Sequence, residues 1–274
     1  MDTINSLLTG AFTMMMAPFR NLHPLAGLAA FSVITGIVML LVFKWTSNQG
    51  GVAGARDRMQ GRLLEMRLFA ADPMQVLRAA GRLLFDNLLY IRYLAVPMAV
   101  LIVPVVLLLV QAAAWYQFRP LRPGESAIVR VYVAPQADAR KLNGITLDTG
   151  QGVTLETPAL RIPSENEINW RVKPNSHGRH AIRIRSGAGT AKKQLVSGNG
   201  LAAVWPARVK GNLWQRILNP GEPAIAGTDI EKVAVDYPQR TLEIAGRPVH
   251  WLLVFFVLSL VSAFALRGVF KVAV

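Results

Sequence analysis

The chain contains no cysteine, which excludes a disulfide framework and thiol chemistry. Charge is scarce: 17% of its 274 residues are Asp, Glu, Lys or Arg, against 52% hydrophobic. Histidine is nearly absent too, with four residues, of which only His177 and His180 are close in sequence. A metal site needs clustered donors, and two histidines flanking Gly178-Arg179 read as a surface turn. No nucleophile elbow is present. The glycine-rich basic stretch 187–193 lacks the spacing of a phosphate-binding loop and reads as a hairpin turn. Glu165 and Glu167 read as a solvated strand edge rather than a paired acid and base. Catalytic residues, cofactor-binding residues and metal ligands are therefore all expected to be none, and the expectation is a protein that is not an enzyme.

What the chain has instead is long uncharged runs. Mean hydropathy is +0.34, too apolar for an ordinary soluble domain. Residues 25–43 carry no charge and are long enough to cross a hydrocarbon core of about 30 Å at about 1.5 Å per residue. Residues 93–116 form a second run, with Pro97 and Pro104 inside it and a kink expected. Residues 248–266 form a third. Ahead of them, Ile4, Leu8, Ala11, Phe12, Met15 and Met16 recur at helical spacing. Residues 1–24 thus read as a segment lying in the membrane interface.

Between the first two runs, residues 44–92 read as a helical hairpin. Met59, Leu63, Met66 and Ala70 line the first arm; Val76, Leu77, Ala80, Leu83, Leu84 and Leu88 line the second. Asp72-Pro73 is the hinge, since Asp can cap a helix and Pro suits its first turn. Residues 117–247 change character to short alternating strands broken by Gly and Pro, with strands expected at 127–133, 145–147, 153–155, 168–172, 180–185 and 194–196. Segments 230–237 and 241–244 read as a closing pair. The spacing predicts an antiparallel β-sandwich of immunoglobulin-like type with Trp170 in its core, though without the usual cysteine pair. The fold class expected is an α+β membrane protein: three transmembrane helices, a cytosolic helical hairpin and an extracytoplasmic sandwich.

Orientation follows from the short segments. Residues 44–92 hold eight basic residues (Lys44, Arg56, Arg58, Arg62, Arg67, Arg78, Arg82, Arg92) against Asp57, Glu65, Asp72 and Asp86, and Arg267 and Lys271 follow the third run. The positive-inside rule places the hairpin and the 267–274 tail in the cytoplasm and the N-terminus outside a plasma (inner) membrane.

An interfacial segment, a span, a basic hairpin and a second span occur in that order. Phe43-Lys44-Trp45-Thr46-Ser47-Asn48-Gln49, followed by Arg56-Asp57-Arg58-Met59-Gln60, forms the junction. This order and junction resemble the three-span members of the YidC/Oxa/Get/EMC insertase superfamily. The resemblance covers residues 1–115 and the third run. It implies a membrane chaperone whose hairpin receives hydrophobic segments and whose spans form a polar groove. Two departures stand out: no span carries an arginine, and the β domain is additional. Candidate contacts to substrate or lipid headgroups are Arg56, Arg58, Arg62, Arg67, Arg78 and Arg82. Candidate groove residues are Ser32, Thr35, Gln111, Ser259 and Ser262. Expected partners are the lipid bilayer and nascent membrane proteins or another membrane subunit, with the ribosome as an open alternative and no DNA. A structural or adaptor subunit that docks a partner through its sandwich is the competing reading.

Overall fold

The computed structural model describes residues 2–20, 22–134, 142–187, 189–270 and 272; Ala188, Lys271 and the side chains of Ile4 and Leu8 lie outside the described residues. The protein is a mixed α+β chain in two compact units. One comprises residues 28–106 and 249–274; the other comprises residues 1–27 and 107–248. Two of its helices are long and apolar enough to cross a membrane, α2 (Pro24–Thr46) and α4 (Pro73–Tyr116). Only 6% of the most apolar stretch of α4 is buried, the reverse of a soluble core helix.

The first unit is helical. α3 (Gln49–Leu68) starts where the Asn48 side chain accepts the Gly51 amide, an N-cap. The chain turns through 69–72, where Asp72 caps α4 by accepting the amides of Met74 and Gln75. From Pro73 the helix runs for 44 residues, so the second hairpin arm and the second apolar run belong to one continuous helix. Pro97 and Pro104 lie within it.

The third apolar helix, α6, is shorter than the expected 248–266 and spans Trp251–Leu266. Pro248 and Val249 belong to a strand instead, and His250 caps the helix by accepting the Leu252 amide. Phe31 of α2 stacks on Phe255 of α6 at 5.4 Å. Further along, a side chain at Gly36 would collide with Ser262 Oγ and stand 2.6 Å from the Ser259 carbonyl oxygen. Lys44 Nζ donates to the Phe270 carbonyl at 2.8 Å. Contacts advance together along both chains, so α2 and α6 run parallel.

The second unit joins α1 (Asp2–Met16), a 3₁₀ turn at Ala17–Phe19 and the end of α4 to the β domain. One sheet has strand order β3 (Val153–Leu155), β5 (Glu167–Pro174), β1 (Ala127–Val133), β9 (Ile230–Val235), β8 (Ala207–Val209), with β4 (Leu160–Ile162) also on β5. A second holds β2 (Thr146–Asp148), β6 (Gly178–Ser186) and β7 (Gly189–Ser197). Among the described residues every ladder in these two sheets is antiparallel. β1 alternates buried and half-buried residues, as one face turned to a core requires. Val129, Val131, Trp170 and Val172 of the larger sheet and Ile182, Ile184 and Leu195 of the smaller share that core. The expected closing pair is corrected: β9 pairs with β1 and β8, whereas β10 (Leu242–Ile244) pairs with β11 (Arg247–Val249). Segment 241–244 is separated from β9 by residues 236–240 and does not pair with it.

The helix end is tied into the sheet unit by backbone bonds. Val204 N donates to Ala114 O at 2.7 Å, Arg119 N to Pro238 O at 3.0 Å and Arg240 N to Gln117 O at 3.0 Å. Gly27 is needed where it stands, because an added Cβ would lie 2.8 Å from the Tyr116 hydroxyl.

Candidate functional site

The hairpin is closed by charge. Asp86, buried on α4, accepts from Arg58 Nε at 3.0 Å and faces Arg62 Nε at 3.6 Å. Glu65 receives Arg62 at 3.0 Å within its own arm and Arg82 at 3.8 Å from the other. The pairing follows from antiparallel geometry: Arg58 and Asp86 are equidistant from Asp72, and so are Gly51 and Tyr93. At the latter pair an added Cβ on Gly51 would stand 3.0 Å from the Tyr93 ring, so glycine admits the tyrosine at the hairpin root. Beside the Arg58–Asp86 pair, Asn87 Nδ2 meets Met59 Sδ at 3.8 Å.

Of the six arginines singled out in the sequence, Arg58, Arg62 and Arg82 therefore point across the hairpin and join its arms. Arg56, Arg67 and Arg78 are exposed, and among the described residues neither Arg67 nor Arg78 makes an ion pair. Asp86 and Glu65 organise the arginines, yet in sequence they are two of four acids in a basic segment. The signal that could have found Asp86 is its place opposite Arg58 about the hinge.

The apolar stripe of the second arm does not all turn inward. Ala79 is fully buried, but Leu77 is 68% exposed, Leu84 69% and Leu88 65%. The first arm leaves Leu64 and Leu68 exposed as well, and the turn between them presents Phe69 and Met74. A hairpin clamped by ion pairs thus presents leucine, phenylalanine and methionine outward beside the exposed Arg67 and Arg78. Exposed large apolar side chains in such number are the composition of a protein-contact or membrane-contact face.

The groove residues are distributed as follows. In the helical unit, Ser32 is buried and donates to the Leu28 carbonyl one turn back, and Thr35 is buried. Ser262 donates to the Ser259 carbonyl at 2.9 Å, and both line the close crossing at Gly36. These serines satisfy their hydroxyls on their own helix backbone while their small size lets two helices touch. In the other unit, Gln111 Nε2 donates to Thr9 Oγ1 of α1 at 3.1 Å, and its Oε1 is buried without a partner.

The β unit has its own buried charge. Lys193 Nζ donates to the carbonyls of Trp205 at 2.8 Å and Gln194 at 3.1 Å and pairs with Glu222, whose other oxygen takes the Gln194 amide at 3.1 Å. Burial pulls the Lys193 ammonium below its ordinary range, and Glu222 pushes back. Among the described residues no group of three metal-binding side chains occurs, and His180 Nε2 sits 2.9 Å from the Ser176 carbonyl. Compared with protein-family models, curated proteins and solved structures, the chain matches none.

Proposed function

We propose that the chain is an insertase-like membrane chaperone that receives hydrophobic segments on its hairpin. The observation that carries this reading is the ion-pair-clamped hairpin with outward Leu64, Leu68, Phe69, Met74 and Leu77, continuous with a 44-residue helix whose apolar stretch is itself exposed. A clamped scaffold keeps the exposed leucines from collapsing on each other, which leaves them available to a client. Arg56, Arg67 and Arg78 then meet lipid headgroups or the flanks of the client, while Arg58, Arg62 and Arg82 hold the arms together.

Three spans are proposed, α2, the apolar part of α4, and α6, in the plasma membrane. The basic hairpin and tail lie in the cytoplasm, and the β domain, read as an immunoglobulin-like sandwich around Trp170, lies outside. The parallel packing of α2 and α6 supports this count, since both then cross in the same direction.

The test is reconstitution. Purified chain in proteoliposomes is expected to raise protease protection of a short-tailed membrane protein synthesised in vitro. Photo-crosslinkers at Leu68 or Leu77 are expected to capture that nascent client. Equal insertion in empty liposomes, with no nascent adduct, would sink the reading.

The adaptor reading keeps one observation of its own. Beside β4 and β5 lies a cleft of about 360 Å³ where Leu160 is exposed and Asn169 Oδ1 is buried without a partner. Deleting 120–245 should abolish copurification of a partner under that reading, and deleting 52–90 should not.

A further inference from the structure

Within the β unit, α1 and the segment 209–224 enclose a cleft of about 590 Å³, in the size range of small-molecule and lipid-chain sites. Its walls are mainly apolar, with Met14, Ala17, Val209 and Pro223 among them, and two cations, Arg20 and Arg216, stand on its lining. The one acid there, Glu222, is already answered by the buried Lys193. Apolar walls with cations beside them match a molecule that has an apolar chain and an anionic head.

Arg20 fixes the level of such a head. It lies four residues before α2 begins at Pro24, and its guanidinium sits 5.8 Å over the Trp115 ring at the end of α4. An apolar helix starts and another ends at this pair. A tryptophan–arginine pair at such a place belongs at the headgroup level of a bilayer. Arg20 also borders a second cleft that Arg240 lines, which adds positive charge on its far side. The short helix α5 (Leu213–Leu218) carries Arg216 and leaves Trp214 69% and Leu218 53% exposed, one turn apart on one face. Across the cleft on α1, Met14 is 80% exposed. An exposed tryptophan and leucine beside an arginine are the composition of an element that lies in the interface plane.

We propose that this cleft holds an anionic phospholipid of the outer leaflet. Its acyl chain lies between Met14, Ala17, Val209 and Pro223, its phosphate meets Arg20 and Arg216, and Trp214 and Leu218 dip into the surrounding headgroups. The proposal rests on the membrane placement given above but not on insertase activity.

The full-length chain is reconstituted in phosphatidylcholine vesicles containing a minority of phosphatidylglycerol, released in mild detergent, and its retained lipid counted by native mass spectrometry. Phosphatidylglycerol is expected to be retained over phosphatidylcholine. Replacing both arginines by glutamine, Arg20→Gln with Arg216→Gln, should cut that preference about tenfold or more, as loss of charge-assisted hydrogen bonds predicts. Arg20→Lys with Arg216→Lys should keep most of it, which separates charge recognition from misfolding. Ala17→Trp, which fills the cleft and leaves the charges, should lower retention of both lipids. Equal retention of the two lipids by the unaltered chain overturns the proposal, as does a preference that survives the glutamine pair or undiminished lipid retention by Ala17→Trp. Inorganic phosphate displacing the retained lipid at equal concentration overturns the acyl-chain half. Failure of the membrane placement reads separately, as release of the chain from native membranes by alkaline carbonate without detergent.

Discussion

Two acids carry more of the architecture than their number suggests. Asp86 takes Arg58 and Arg62 from the opposite arm, and its side chain is only 9% exposed. Asp86→Ala should leave two guanidinium groups facing a half-buried gap and loosen the hairpin by about 1–2 kcal/mol, since the arginines remain partly solvated. Hydrogen exchange of the α3 amides reads this directly: Asp86→Ala should speed it, and Asp57→Ala, on the exposed side, should not. Glu222 is the counterpart in the β unit. Its partner Lys193 has no exposed side-chain surface, so removing either member alone strands a buried charge. Glu222→Gln is expected to cost about 3–5 kcal/mol, and adding Lys193→Met to it should recover part of that loss. Thermal unfolding of the full chain in detergent, followed by near-ultraviolet circular dichroism, checks the cycle; a double variant no more stable than Glu222→Gln would show that the pair is not coupled.

Among the elements, the crossing of α2 and α6 is the most exposed to a single change. Any side chain at Gly36 meets Ser262 Oγ and the Ser259 carbonyl, both on the facing helix. Gly36→Leu should part the helices, and cysteines placed at Phe31 and Phe255 should then lose their disulfide cross-link. The cysteine-free background makes that assay clean. The long elements could be read from sequence because their signals are local. An uncharged run made α2, the Asp72-Pro73 cap placed the start of α4, and the alternation of 127–133 made β1. What escaped depends on distance along the chain. β4 and β8 are three residues long and α5 is six, which leaves little periodic signal to read. One partner of β9 is β1, a strand about 100 residues earlier, which no turn announces. At the candidate site the arginines were legible as a basic face. Which of them turn inward was not, because that follows from the pairing of two helices about residue 72, and the outward Leu77, Leu84 and Leu88 escaped for the same reason.

For the whole molecule, the number of crossings turns on α6. Its 16 residues reach about 24 Å, short of a hydrocarbon core of about 30 Å. Its contacts are what the proposed third crossing rests on. It stands parallel to α2, level with Phe31 at Phe255 and with Gly36 at Ser262, and the turn that follows it reaches Lys44 at Phe270. A shorter helix beside a longer one is accommodated by local thinning of the bilayer at a modest cost. Single cysteines at Gly81, Gly198 and Gly268 decide the matter, since an added Cβ at each meets nothing within 4 Å. With three crossings, Gly198→Cys in the β domain reacts with an impermeant maleimide on intact cells, whereas Gly81→Cys in the hairpin and Gly268→Cys beyond α6 react only after permeabilisation. With two crossings, Gly268→Cys would react together with Gly198→Cys, because nothing would carry the chain back through the membrane after the β domain. Labelling of Gly81→Cys on intact cells would reverse the orientation and remove the hairpin from any cytosolic client.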